Sequence, residues 1–122
     1  MRDVIRVVLV DPDDESRPRL HQLLGSLGSL WIAEVFSDYK TAAVRTAEIA
    51  PELCLVALDA DPARAVELIS GLSQSCPSTV LLPASTAQDS ALILRSIRAG
   101  AREFLTLPTE PSELLEIISR LF

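Results

Sequence analysis

Aromatic side chains are scarce in this sequence: three Phe, one Trp and one Tyr in 122 residues. Aliphatic side chains must therefore fill the core. There is one histidine, His21, so a histidine-based metal site has almost no support. It lies off the leucine stripe of its helix and reads as solvated. The two cysteines, Cys54 and Cys76, form no CxxC pair and lie in different elements, which argues against a disulfide or a metal site. Cys54 reads as a buried small hydrophobe and Cys76 as a loop residue. The four glycines (Gly25, Gly28, Gly71, Gly100) make neither GxGxxG nor a P-loop, so a nucleotide fingerprint is absent. No Ser-His-Asp pattern is evident. Basic residues are outnumbered, 11 against 17 acids, and the net charge of −6 argues against nucleic acid as partner. No apolar run reaches the length of a membrane span, and Met1-Arg2-Asp3 leads straight into a strand rather than a signal peptide. A soluble cytoplasmic protein without membrane insertion is expected.

What the chain has in quantity is short apolar runs. ELCLVALDAD, Glu52–Asp61, holds six uncharged residues that do not alternate, the pattern of a strand covered on both faces. It is the expected central strand of a parallel sheet, and its two acids sit at the carboxyl end, where sites gather in such sheets. Val4–Val10 is a similar first strand, and Leu20, Leu23, Leu24 and Leu27 follow at helical spacing. Leu30–Phe36 is the second strand and Thr41–Ala50 an alanine-rich helix stopped by Pro51. Asp61-Pro62 opens a third helix with Ala65, Leu68, Ile69 and Leu72 on one face. Thr79–Ala84 is the fourth strand, with Pro83 suggesting an early exit from the ladder. Ser85–Asp89 resembles a capping box into a helix over Ser90–Ala99, ended by Gly100. Glu103–Leu107 is the fifth strand and Ser112–Phe122 the last helix. Five strands alternating with five helices predict one doubly wound α/β domain over residues 1–122, a five-stranded parallel sheet of order 2-1-3-4-5. The apolar ending Leu121-Phe122 fits a domain cut from a longer chain.

Among the acids, Asp61 reads as an N-cap, and Asp13 and Asp14 as helix-start charges. Asp11 and Asp59 end two strands and are less easily explained by capping. Clustered carboxylates bind Mg²⁺ through oxygen, and a carboxylate beside that ion can accept a phosphoryl group.

Strand, acid and helix at the start, an acidic end to the third strand, Ser85 after the fourth, and Arg98–Leu105 (RAGAREFL) into the fifth resemble the bacterial response-regulator receiver domain along the whole chain. RAGAREFLTLP (Arg98–Pro108) and LDADP (Leu58–Pro62) are most similar to the receiver-like domain at the amino terminus of Tad/Cpa-type pilus-assembly ATPases, relatives of the MinD/ParA group. The resemblance implies a phosphoacceptor pocket, and this chain keeps only part of it. The two adjacent acids fall on Asp11 and Pro12, with Asp13 the substitute ligand. The acceptor aspartate falls on Ala57, and Asp59 serves only if the strand is longer by two residues. The hydroxyl falls on Ser85, and the lysine before proline falls on Leu107, which carries no charge. The expectation is a non-catalytic pseudo-receiver without a cofactor beyond weak Mg²⁺ at Asp11, Asp13 and Asp59. The alternatives are a phosphorylatable two-component receiver using Asp59, and a small flavodoxin-like ligand-binding domain.

A contact surface is also expected. At 100° per residue, Ile93, Leu94 and Ile97 define the core face of the fourth helix and Leu92 points away from it. The last helix carries Leu114, Leu115, Ile117, Ile118, Leu121 and Phe122, a wide apolar arc. Receivers often pair through the fourth helix, fifth strand and fifth helix, so the resemblance implies a homodimer there, with Leu92 at its centre and Arg95, Arg98, Arg102, Glu103 and Glu113 as the rim. It also implies a carboxyl-terminal ATPase domain or pilus-assembly proteins as partners.

Overall fold

A computed structural model describes residues 4–122; the reading of Met1-Arg2-Asp3 as a lead into the first strand lies outside the described residues. The strands are β1 (Ile5–Val10), β2 (Leu30–Phe36), β3 (Leu53–Ala57), β4 (Val80–Ser85) and β5 (Leu105–Thr106). The helices are α1 (Ser16–Gly25), α2 (Tyr39–Ile49), α3 (Pro62–Ser75), α4 (Ser90–Ala99) and α5 (Pro111–Leu121). All strands are parallel, in the expected order β2-β1-β3-β4-β5.

The central strand shows why its sequence does not alternate. Leu53, Leu55 and Ala57 enter one apolar cluster with α1 and α5, while Cys54, Val56 and Leu58 enter a second with α2, α3 and α4. Both faces are dry, and each fully buried Leu or Val contributes roughly 1.5–3 kcal/mol. Cys76 is not a loop residue: it caps the carboxyl end of α3 and is buried in the same cluster as Cys54.

The helix starts follow local chemistry. Asp38 accepts from the Thr41 amide at 2.6 Å, Asp61 from the Arg64 amide at 3.2 Å, and Asp89 from Ala91 and Leu92. The expected capping box at Ser85–Asp89 is thus an Asp89 cap alone. The true capping box is at α5, where Glu113 reaches back to the Glu110 amide at 3.0 Å. At the end of α2, Ala50 takes a left-handed φ of 48°, and the Arg6 guanidinium holds its carbonyl at 2.8 Å while pairing with Glu52. Gly100, at φ 131°, turns the chain out of α4. A Cβ there would meet Ser73 Oγ at 2.4 Å, so glycine is needed for both the turn and the close approach to α3.

β4 and β5 depart from expectation for one reason. β4 does not leave the ladder at Pro83 but runs on to Ser85, because residues 80, 82 and 84 face β3: Val80 donates to the Glu52 carbonyl and Ala84 accepts from the Leu58 amide. Pro83 faces the other way, with Ser85, whose carbonyl accepts from the Leu107 amide. Its missing N–H therefore falls on the β5 side. β5 shrinks from the expected five residues to Leu105 and Thr106, paired only with Ala84 and Ser85.

Candidate functional site

The carboxyl ends of β1, β3 and β4 carry the predicted site residues. Asp11 follows Val10, which lies in register with Val56, so the residue facing Asp11 across the sheet edge is Ala57. Ala57 is buried and offers a methyl group at the position where the resemblance implies an acceptor carboxylate. Its carbonyl accepts a 2.7 Å hydrogen bond from the Tyr39 hydroxyl. Burial, with the charges of Asp11, Asp61 and Asp59 nearby, pushes that phenol up to about 12.

Asp11 itself is 1% exposed. Burial raises its pKa, offset in part by hydrogen bonds from the Ser16 hydroxyl and, at 3.0 Å, the Asp13 amide. Pro12 adds no ligand. Asp13 bends the chain into α1, accepting from the Glu15 amide at 2.7 Å and the Ser16 amide at 3.3 Å. Asp59 sits past the end of β3 and turns toward β4. It accepts from the buried Ser85 hydroxyl and from the Thr86 amide and hydroxyl at 3.0 and 2.7 Å. Burial raises its pKa, but these three donors outweigh that and leave it lowered.

The structure thus brings Asp59 and Ser85 together and keeps Asp11 with Ser16. Among the described residues no three His, Cys, Asp or Glu side chains group so as to hold a metal ion, and Asp11, Asp13 and Asp59 are each engaged with separate donors. The magnesium that the resemblance implies does not find a ready cage here. Leu107 is half-buried against the α1–α5 cluster, one residue past Thr106, where its amide still bonds the Ser85 carbonyl of β4. Ser16, Tyr39 and Thr86 escaped the sequence reading. Thr86 adjoins Ser85 and Ser16 opens the helix after the acids, both local signals. Tyr39 meets a carbonyl 18 positions away, and nothing local announces it.

The expected contact surface changes. Leu92 is 6% exposed and packs among α3 residues, whereas Leu94 and Ile97 are 47% and 40% exposed. The side of α4 that meets the core is Leu92, Ser96 and Ala99, because α3 approaches closely at Ser73–Gly100 and favours small residues. The expected core face of Ile93, Leu94 and Ile97, with Leu92 pointing away from it, is therefore reversed for Leu92, Leu94 and Ile97, while Ile93 is half-buried. Arg95, Arg98 and Arg102 are exposed, with no side-chain hydrogen bond or ion pair among the described residues. Glu103 is held by Arg120 at 3.2 Å, and Glu113 is spent on its capping box. At 100° per residue, Glu113 and Arg120 lie on the flank of α5 toward β5, and Pro111, Leu115 and Phe122 on the other. The apolar excess of α5 therefore faces α1, away from Leu94 and Ile97.

No family model matches the chain. Among characterised proteins it is 21% identical to the chemotaxis protein CheY of Thermotoga maritima over 115 residues, 94% of this chain and 95% of that one. It is 28% identical over 106 residues to a protein-glutamate methylesterase/protein-glutamine glutaminase of Myxococcus xanthus, covering 86% of this chain but only 30% of that protein's length. Among solved structures, the response-regulator domain of Thermotoga maritima CheB superposes with a TM-score of 0.82 at 22% identity, over 97% of this chain and 96% of that one. A pilus assembly protein, CpaE, from Burkholderia thailandensis gives 0.86 at 22% identity, over 97% and 98%. No helix among the described residues is long and apolar enough to cross a membrane. The chain has the receiver fold of response regulators.

Proposed function

We propose that this is a non-catalytic pseudo-receiver, a cytoplasmic interaction module of one domain that has given up phosphotransfer. The observation that carries the reading is the pair of substitutions at the sheet edge: Ala57 opposite Asp11, and Leu107 in place of the charge-offsetting lysine. Without the cation, a phosphoryl group at this edge would meet Asp11 and Asp59 unscreened. Asp59 is held by Ser85 and Thr86 as an anchor between β3 and β4, and Mg²⁺ binding at the edge is weak. The likeness of Arg98–Pro108 to pilus-assembly ATPases, with a CpaE structure among its structural neighbours, supports a place in assembling or positioning such an ATPase. Self-association through α4 and the β5 edge is part of the reading, now centred on Leu94 and Ile97 with Arg95, Arg98 and Arg102 around them.

Incubation with acetyl phosphate and Mg²⁺, followed by intact-mass measurement, tests it. The expected spectrum contains unmodified protein only. A stoichiometric phosphate adduct that disappears in Asp59→Ala would overturn the reading in favour of a phosphorylatable receiver.

A further inference from the structure

Between α1 and the segment that joins β5 to α5 runs an open groove of about 660 Å³. That lies within the roughly 300–1,000 Å³ typical of small-molecule sites. Its floor is apolar, made by Leu20 and Leu23 of α1 and by Leu107 and Pro108. Leu107 matters most. A lysine there would put a charge beside the groove, and leucine makes the floor continuous. Pro111 carries the wall into α5, and Leu115, 44% exposed on the same flank, lies one turn beyond.

Charge in the groove is confined to one residue. Among the described residues Arg19 is the sole charged side chain in the lining, although the chain holds 17 acids. It makes no hydrogen bond or ion pair among the described residues. Arg17, two positions earlier, is by contrast held by Asp14 at 2.7 Å and the Asp11 carbonyl at 3.0 Å. The remaining polar lining, Ser16, Gln22 and Thr86 among it, is neutral.

An apolar trough with one unpaired guanidinium and no carboxylate selects by exclusion. A cation is repelled, and a phosphate dianion finds no second positive group. A wholly apolar molecule leaves the guanidinium unused, whereas a carboxylate on an apolar body satisfies both parts, the guanidinium pairing with it through two parallel hydrogen bonds. We infer that this groove binds amphipathic monocarboxylates of the medium-chain fatty-acid class, with the carboxylate at Arg19 and the alkyl body along Leu23, Leu107 and Pro108. The groove adjoins the acidic edge through Ser16 and Thr86, whose hydroxyls are turned to Asp11 and Asp59, but Arg19 and the apolar floor make no bond to those acids.

Octanoate, with 1-octanol as the uncharged control, is titrated into ¹⁵N-labelled protein while amide shifts are followed. Saturable shifts confined to α1 and residues 105–111 are expected, with octanoate binding more tightly than octanol. Arg19→Gln removes the charge at an exposed, unpaired position, so the spectrum should otherwise be unchanged. Octanoate should then weaken about tenfold, the scale of one charge-assisted contact, while octanol stays the same. Equal binding of octanoate by Arg19→Gln, shifts centred on α4, or no saturable shifts would each overturn the inference. So would shifts of the same amides on dilution without octanoate, which would make a second copy of the chain the occupant.

Discussion

Asp11 and Asp59 are the same residue type at neighbouring strand ends, yet their surroundings drive them apart. Asp59 gains three donors and is held low, whereas Asp11 loses solvent and is raised. The sign of the pH dependence follows. A carboxyl whose native pKa lies above its unfolded value near 3.8 adds stability below that pH, and the contribution is lost as pH rises through the native value. At neutral pH the buried charge of Asp11 is therefore a cost. Asp11→Asn keeps the shape and the acceptor for the Asp13 amide, and the amide group can donate to Ser16. Denaturant unfolding at pH 7 is expected to show the variant more stable by on the order of 1 kcal/mol, with the difference shrinking toward pH 3. A loss of stability at pH 7 would mean that the ionised form is favoured where it sits. Which acids reach the edge was legible in the sequence, because strand ends are. How they differ was not, since the deciding partners, Ser85 and Thr86 for Asp59, lie 26 and 27 positions away.

At the scale of elements, the readable features were those that chemistry fixes within a few residues. The Asp61-Pro62 start of α3, the span of α4 and its Gly100 stop, and the limits of β2 all stand where local reasoning put them. The burial of α3 on Ala65, Leu68, Ile69 and Leu72 was equally legible, because its stripe agrees with residue size. On α4 the aliphatic stripe at helical spacing misleads. Ser96 is wholly buried while Leu94 is not, and only the closeness of α3 explains the exchange. Two substitutions separate the faces. Leu92→Asp puts a charge into the α2–α3–α4 cluster and should cost about 3 kcal/mol or more in stability. Leu94→Asp should change stability by less than about 0.5 kcal/mol, as an exposed position does. If α4 forms the proposed self-contact, sedimentation will show a concentration-dependent dimer for the parent and a monomer for Leu94→Asp. A parent that stays monomeric at high concentration, or a Leu94→Asp variant that dimerises as well, places the contact elsewhere or removes it.

Over the whole molecule, alternation of strands and helices was enough to predict the topology, because right-handed crossovers leave few arrangements. The width of the pairing was not predictable from Glu103–Leu107 alone, since that depends on what the neighbouring strand can offer. The proline in β4 thereby sets a gradient across the sheet. β1, β3 and the β3 side of β4 are stitched by continuous ladders, whereas the fifth strand hangs by two residues and the packing of α5. Structure opens in cooperative units, and the least tethered unit opens first. The stretch from Ala101 to Phe122 should behave as such a unit, detaching from a four-stranded remainder at less than the cost of global unfolding. In hydrogen–deuterium exchange its amides should lose protection before those of β3. Pro83→Val restores the donor facing β5 and should slow exchange selectively at residues 103–107. Uniform exchange across the sheet in both proteins would mean that the fold opens as one piece. If the gradient holds, the edge that carries Leu107 and the wall of the α1 groove can loosen while the acidic edge stays in place.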